Sequence, residues 1–497
     1  MRVLYVASEA RPFAASGGLA DVAGSLPQSL KRSGVDCRIV MPLYSSMPWH
    51  LRNELKYITH FTVPVSWRSR HCGLFWAEYD GVTYYFIDNE HYFKRATLYD
   101  EYDNAERFAF FSRAVLEILP RIDFKPDVIN ANDWQTALVP IYQHLYYSKD
   151  GWYAGIKTVF TIHNIAFQGK YGYEIFNDVL GLPDWAINLV NFDDCLNLLK
   201  GAMQTAHSVV TVSPNYAREI SGNHWDVTGY DFGQGLTSVL QAESMKLSGI
   251  RNGVDMHSID PAEDGGLYVN YNTETFAEGK RENKRRLQER LGLEQRDDVP
   301  LIGFVTRIDS RQKGCQLVLE VLSSGLMDCF DAQFVLLGNA AAGDLDGRYM
   351  EDGFRYFENR YRGRVVSYIG FVPELAQKIY AASDIYLMPS KYEPCGLSQI
   401  IAMKYGAIPV VRETGGLADT VHDSLSGSGN GFTFTYYSGE ELRRAIERAL
   451  HGYRDRNGWS ILTKRAMQCD FSWDAGPVHE YIHLYERLAG FSASSLS

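Results

Sequence analysis

No run of eighteen apolar residues occurs in this 497-residue chain, which excludes a membrane-spanning helix of ordinary length. The seven cysteines (Cys37, Cys72, Cys195, Cys315, Cys329, Cys395, Cys469) are scattered and never spaced as CxxC. That excludes a disulfide framework and a zinc ribbon, and fits a reducing compartment. Basic residues are in the minority, 49 Lys and Arg against 60 Asp and Glu for a net charge of −11. Without a long basic run, neither nucleic acid nor an anionic membrane is an expected partner. The first turn reads Ser16-Gly17-Gly18 rather than GxGxxG, and Gly427, Gly429 and Gly431 are wrongly spaced. A Walker A motif is missing as well, so a dinucleotide-dependent dehydrogenase and a P-loop ATPase both drop out. The opening apolar run, Val3 to Ala7, is too short for a secretory leader, and a cytoplasmic protein is expected.

What is present is an ordinary globular composition, 45% hydrophobic, 13% aromatic and 22% charged, with length for two to four domains. Short apolar runs at Val3 to Ala7, Cys37 to Met41, Tyr84 to Ile87, Val128 to Ala131, Thr158 to Ile162 and Val209 to Val212 read as buried strands. Helical patterns separate most of them, the βαβ signature of a parallel sheet. A second series follows residue 250, at Leu301 to Thr306, Phe334 to Leu337, Val365 to Ile369, Ile385 to Met388 and Ile408 to Val411. The pattern predicts an α/β protein of two doubly wound domains, with the crossing near Leu247 to Asp260 in the turn-rich Asn252-Gly253-Val254-Asp255. In such sheets ligands sit beyond the carboxyl ends of the strands, so a site facing the cleft between the domains is expected. Lys280 to Arg290, dense in charge, is expected to be a solvated helix face.

Five residues recur. Gly17-Gly18-Leu19-Ala20-Asp21 returns as Gly415-Gly416-Leu417-Ala418-Asp419, each copy where a strand gives way to a helix. Such a turn lets a ligand approach the backbone and aims helix N-terminal N–H groups at phosphate or sugar hydroxyls. Ser390-Lys391-Tyr392-Glu393-Pro394-Cys395-Gly396-Leu397 places a carboxylate at the mouth of another helix, suited to sugar hydroxyls. Arg307 and Lys313 end one strand and could neutralise a leaving diphosphate. His163, with Asn164 and Gln168 after it, closes a neighbouring strand end, as does Asp133 beside Trp134.

Taken in order, Ser16 to Val22, Asn132 to Thr136, Thr161 to Asn164, Thr211 to Pro214, Asn252 to Asp255, Arg307 with Gln312-Lys313-Gly314, Glu393 to Leu397 and Thr414 to Asp419 resemble bacterial glycogen synthase and plant starch synthase. Asp103 to Phe108 and Phe471-Ser472-Trp473-Asp474 resemble further signatures of that family, so the likeness runs through nearly the whole chain. It implies a GT-B fold: an acceptor-side domain over 1–247, a nucleotide-sugar domain over 248–473, and a C-terminal helix and tail over 474–497 packing back on the first. It implies retaining transfer of glucose from ADP-glucose to the non-reducing-end 4-hydroxyl of an α-1,4-glucan, with no metal and no cofactor beyond the donor. By that resemblance His163, Arg307, Lys313 and Glu393 are catalytic. Ser16, Gly17, Gly18, Asp21, Asn252, Cys395, Gly396, Leu397, Thr414, Gly415 and Gly416 bind the donor, and Asp133, Asn164 and Gln168 line the acceptor side.

Three departures from the family stand out. Ala15 replaces a lysine usual before the Gly-Gly turn, the Arg307-to-Lys313 loop is one residue longer, and Gly338-Asn339-Ala340 stands where a Gly-Thr-Gly-like turn is usual. They leave a second reading open, a glucan- or nucleotide-binding paralogue with weak or no catalysis. A third, a metal-dependent GT-A transferase, would use Asp344 and Asp346 as a DxD pair.

Overall fold

The computed structural model describes residues 1–222 and 229–491. Twelve strands belong to the first part of the chain: β1 (Arg2–Val6), β2 (Asp36–Pro42), β3 (Lys56–Val65), β4 (Arg68–Tyr79), β5 (Val82–Asp88), β6 (Val128–Asn132), β7 (Lys157–Ile162), β8 (Lys170–Tyr171), β9 (Asn191–Phe192), β10 (Cys195–Asn197), β11 (Ser208–Thr211) and β12 (Leu247–Gly249). Six more follow: β13 (Leu301–Val305), β14 (Gln333–Gly338), β15 (Val365–Ile369), β16 (Ile385–Met388), β17 (Ile408–Arg412) and β18 (Phe432–Phe434).

The described residues form two compact units, one of residues 1–222, 231–254 and 472–491, the other of residues 229–230 and 255–471. The first unit holds a nine-stranded sheet in the order β12-β11-β7-β6-β1-β2-β5-β4-β3, and β8 to β10 form a small separate sheet. The run from β12 to β5 is parallel, and its central strands β1 and β6 are buried along nearly their whole length, with the polar Asn130 and Asn132 of β6 hydrogen-bonded inside. The long β3–β4 hairpin adds two antiparallel strands at the edge. Those strands alternate exposed and covered residues instead of forming a continuous apolar run. An edge needs only one dry face, so it leaves a weaker trace in sequence than the centre.

The first unit runs on to Val254 because β12 extends the sheet beside β11. The chain returns to it at the end. Trp473 is 2% exposed and donates its indole N–H to Ser25 Oγ at 2.8 Å, and from the helix Pro477–Ala489 Tyr485 donates to Asn130 Oδ1 at 3.0 Å. Gly253 has no room for a side chain, since a Cβ there would lie 2.6 Å from the Trp473 backbone.

The second unit is one all-parallel sheet, β15-β14-β13-β16-β17-β18. Its helix Phe276–Leu291 corrects the expectation of a solvated face over Lys280 to Arg290. Lys280 and Lys284, one turn apart, are buried. Lys280 Nζ donates to the carbonyls of Ala381, Ser383 and Tyr405 at 3.0, 2.8 and 2.9 Å, and burial pushes its pKa down to about 7. Lys284 pairs with Asp384 at 2.8 Å. The exposed side of the helix does carry ion pairs, such as Arg286 with Glu282. The buried lysines tie it to the chain just before β16, because long aliphatic stems can cross an apolar layer and spend the ammonium on carbonyls beneath.

Candidate active site

In the second unit the nominated residues gather where β13, β16 and β17 end. Gly314 (φ +72°) lets the loop after β13 press on the loop after β16, since a Cβ there would sit 2.1 Å from Pro389 O. The backbone N–H of Lys391 bonds to Gln312 O at 2.7 Å. Across this seam Lys313 Nζ reaches Glu393 Oε2 at 2.8 Å, and Glu393, 5% exposed, also accepts from the buried Ser390 Oγ at 2.9 Å. A base, an acid and a hydroxyl from two loops are thus joined. Arg307, its side chain 56% exposed, donates Nε to Asp309 Oδ2 at 3.0 Å and Nη2 to Gln312 Oε1 at 3.2 Å.

The second Gly-Gly turn is packed against the same loop. Gly415 has φ +45°, and a Cβ on it would lie 1.9 Å from Glu393 O; a Cβ on Gly416 would lie 2.1 Å from Cys395 O. The Gly416 N–H donates to Glu393 O at 3.0 Å, so this donor serves the loop. Thr414 and Cys395 are buried beside it. Gly396 (φ +74°) and Leu397 lead into the helix Ser398–Lys404. Gln399, fully buried, knots this loop to the helix Gly415–Thr420 by donating to the carbonyls of Cys395 and Gly396 and to Thr420 Oγ1.

Gly338 of the third departure is required by the fold, since a Cβ there would lie 1.9 Å from Thr306 O. Ile308 bonds to Asn339 O at 3.0 Å and bridges Ala340. Asp344 caps the helix Leu345–Arg360 through the Gly347 N–H at 3.0 Å, an ordinary helix-start role. Among the described residues no three His, Cys, Asp or Glu side chains come together as a metal-binding set.

In the first unit the nominated residues line the ends of β1, β6 and β7. Asp133 adopts φ +58° and accepts the His163 backbone N–H at 2.7 Å. Burial pushes its carboxyl up to about 7, against the N–H bonds from His163 and Asn164 that favour the anion. His163 Nε2 lies 2.9 Å from Asn132 Oδ1, and Asn132 Nδ2 is committed to Val6 O. An amide oxygen only accepts, so Nε2 carries the proton and Nδ1 is the bare nitrogen. Burial pushes the ring's pKa down to about 3, which keeps it neutral at ordinary pH. His163 is built to hydrogen-bond rather than to shuttle protons.

The first Gly-Gly turn is open. Gly17 is extended (φ −158°), and a Cβ on Gly18 would meet no atom within 4 Å. Behind it Glu9, 3% exposed, accepts the Ser16 N–H. Burial raises the Glu9 carboxyl above its usual range. Asp21 pairs with Arg11 at 2.5 Å. Asn252, nominated for the donor, is a buried residue of this unit beyond the end of β12.

Asn164 Oδ1 closes a tight turn on the Ala166 N–H at 3.0 Å. Gln168 spends its amide inside the fold, donating to Ile165 O and Gln234 O and accepting from Asn197 Nδ2. It nevertheless borders a pocket of about 340 Å³ whose walls include Trp134, Phe167, Lys170, Tyr171 and Gln234. Phe167, Tyr171 and Gln234 went unnoticed in the sequence, because nothing local distinguishes a pocket aromatic from a core one.

Comparison with known proteins places these features. Residues 2–242 match the family model described as starch synthase catalytic domain, and residues 299–452 that of glycosyl transferases group 1. The chain is 44% identical to a glycogen synthase of Clostridium botulinum (strain Alaska E43 / Type E3) over 494 residues, covering 98% of this chain and 100% of the relative. It is 45% identical to a glycogen synthase of Caldicellulosiruptor saccharolyticus over 492 residues, again covering 98% and 100%. Among solved structures, the catalytic domain of starch synthase IV from Arabidopsis thaliana, bound to ADP and acarbose, superposes with a TM-score of 0.87 at 34% identity, covering 98% of this chain and 99% of that one. A sucrose-phosphate synthase from Thermosynechococcus elongatus shares the fold at a TM-score of 0.60 and 16% identity. The fold is GT-B, which removes the GT-A reading of Asp344 and Asp346. With relatives matched from end to end, the chain belongs to the glycogen and starch synthase family of GT-B glycosyltransferases.

Proposed function

We propose that the protein transfers glucose from ADP-glucose to the non-reducing-end 4-hydroxyl of an α-1,4-glucan with retention of the α-configuration. The observation that carries the reading is the pair of cations at the strand ends of the second unit, Arg307 held by Asp309 and Lys313 by Glu393. ADP and acarbose in the related starch synthase IV support a nucleotide-sugar donor and a glucan acceptor.

In this reading Arg307 and Lys313 take the diphosphate. Lys313 then exchanges the Glu393 carboxylate for phosphate, which frees Glu393 to accept hydrogen bonds from sugar hydroxyls. The bond between the anomeric carbon and the diphosphate oxygen breaks while the acceptor O4 bonds to the same face. The acceptor proton passes to the departing phosphate oxygen, and ADP leaves with its charge neutralised by the two cations. No protein nucleophile and no metal takes part. His163, neutral throughout, contributes a hydrogen bond to the glucose, and the aromatic pocket beside Gln168 offers ring faces to the acceptor chain.

Release of ADP from ADP-glucose, measured with and without glycogen, beside UDP-glucose and with a chelator present, tests the reading. Glycogen-dependent ADP release that survives the chelator, with product digestible by an α-specific glucosidase, is the expected result. Silence with both donors in a folded protein that still binds glucan would replace it with the non-catalytic paralogue.

A further inference from the structure

Three consecutive backbone N–H groups in the loop after β13 converge on one side chain. The Asp309 carboxylate, 8% exposed, accepts the N–H groups of Arg311, Gln312 and Lys313 on Oδ1 at 3.2, 2.7 and 3.1 Å. Its other oxygen, Oδ2, accepts Arg307 Nε at 3.0 Å. One carboxylate therefore does two jobs: it winds the extended loop into a compact turn, and it clamps the guanidinium at the loop's entrance. The turn delivers Lys313 to Glu393 despite the extra residue. Burial raises the Asp309 carboxyl, but the N–H donors and the Arg307 guanidinium outweigh it and hold the group below the usual carboxylate range.

We propose that Asp309 is a positioning residue for transfer, acting through Arg307. More than half of the Arg307 side chain is exposed, and an unheld arginine there would lose considerable rotamer freedom on meeting a diphosphate. Held through Nε by Asp309 and through one Nη2 hydrogen by Gln312, it keeps its remaining Nη donors for the donor's phosphates, in a fixed plane. Preorganised charge of this kind lowers a barrier because it needs no rearrangement as the leaving group develops its charge. The inference rests on the diphosphate role proposed for Arg307.

Asp309→Asn separates the two jobs. The amide oxygen can still accept the three backbone N–H groups, while its NH₂ now faces Arg307 Nε–H and cannot clamp it. The expected result is a kcat lower by 10- to 100-fold, the scale of a displaced catalytic group, with KM for ADP-glucose within about threefold and a Tm close to that of the parent. Asp309→Ala should lower both kcat and Tm, because the loop N–H groups lose their acceptor as well. In the Arg307→Ala background, Asp309→Asn should cost less than about twofold, since its target is gone. A parental kcat in Asp309→Asn, or a loss that adds in full to that of Arg307→Ala, overturns the proposal. Glycogen-dependent ADP release by the parent protein, run alongside, separates this outcome from failure of the transferase reading itself.

Discussion

Two copies of Gly-Gly-Leu-Ala-Asp start helices in the two units, and they use their glycines for different reasons. At Gly17 and Gly18 the surroundings are open: the nearest atom to a Cβ on Gly17 is Glu9 Oε1 at 3.9 Å, and Gly18 has none within 4 Å. At Gly415 and Gly416 the carbonyls of Glu393 and Cys395 would lie about 2 Å from a Cβ, and Gly415 also needs φ +45°. The same five letters therefore mark a vacant approach in one unit and a packed joint in the other. The charges differ as well. Carboxyls beside the first turn, Glu9 and Asp133, are raised by burial. Glu393, beside the second, is paired with Lys313. The two nominated cations, Arg307 and Lys313, both belong to the second unit, and the residue before the first turn's Ser16 is the uncharged Ala15.

The largest effect that would sharpen this contrast is expected from the cations. Lys313→Ala should lower turnover by roughly 100- to 1,000-fold, the loss seen when a transition-state charge donor is removed, with its fold retained by circular dichroism. A rate within a few-fold of the parent would break the assignment of charge stabilisation to the second unit. Next come the glycines. Gly416→Ala should cost about 1–3 kcal/mol or more by overpacking, read as a lower Tm, whereas Gly18→Ala should leave Tm unchanged. Equal Tm values for the two variants would erase the distinction between open and packed turns.

Ala15→Lys tests the vacancy directly. If the open turn faces the donor diphosphate, the new cation should tighten ADP binding about threefold by calorimetry, the scale of a partly exposed ion pair. An unchanged affinity would show that the turn serves another part of the substrate.

The smallest expected effect concerns pH. Asp133 keeps its proton up to about pH 7 in the folded protein, whereas an unfolded aspartate releases it near pH 4. Between those values the native state binds more protons than the unfolded one, so this group's contribution to stability is present at low pH and lost as pH rises towards 7. Asp133→Asn removes that slope. Its Tm should fall less than the parent's between pH 4.5 and pH 7.5, and parallel profiles would show that Asp133 is ionised in the native protein.

The central strands were legible almost residue by residue. Ile385–Met388 matches its apolar run at both ends because it is buried on both faces; Val365–Ile369 matches too, although it is the edge strand of its sheet and Tyr368 is 42% exposed. The β3–β4 hairpin escaped notice since an edge pair alternates instead. The burial of Lys280 and Lys284 escaped for a related reason: charge in a helix pattern reads as solvent-facing until the carbonyls that receive it are located. Motif order nominated Arg307, Lys313, Glu393 and the two Gly-Gly turns, and in the second unit the structure brings Lys313, Glu393 and the second turn together. Motif order did not expose Asp309, whose partners are mainly backbone N–H groups with no sequence signature, or the commitment of the Gln168 amide to Ile165, Gln234 and Asn197.

By itself the sequence determined the α/β class, the two series of strands, and which residue types stand at the strand ends, since all of these follow from local periodicity and from motifs a few residues long. Tertiary structure alone decided that Lys313 meets Glu393 across 80 residues, that Asp309 holds Arg307 and winds the loop, and that identical Gly-Gly turns are open in one unit and closed in the other. The physical reason is that hydrogen-bond partnership and free volume belong to the space around a residue, and that space is supplied by segments far away in the chain.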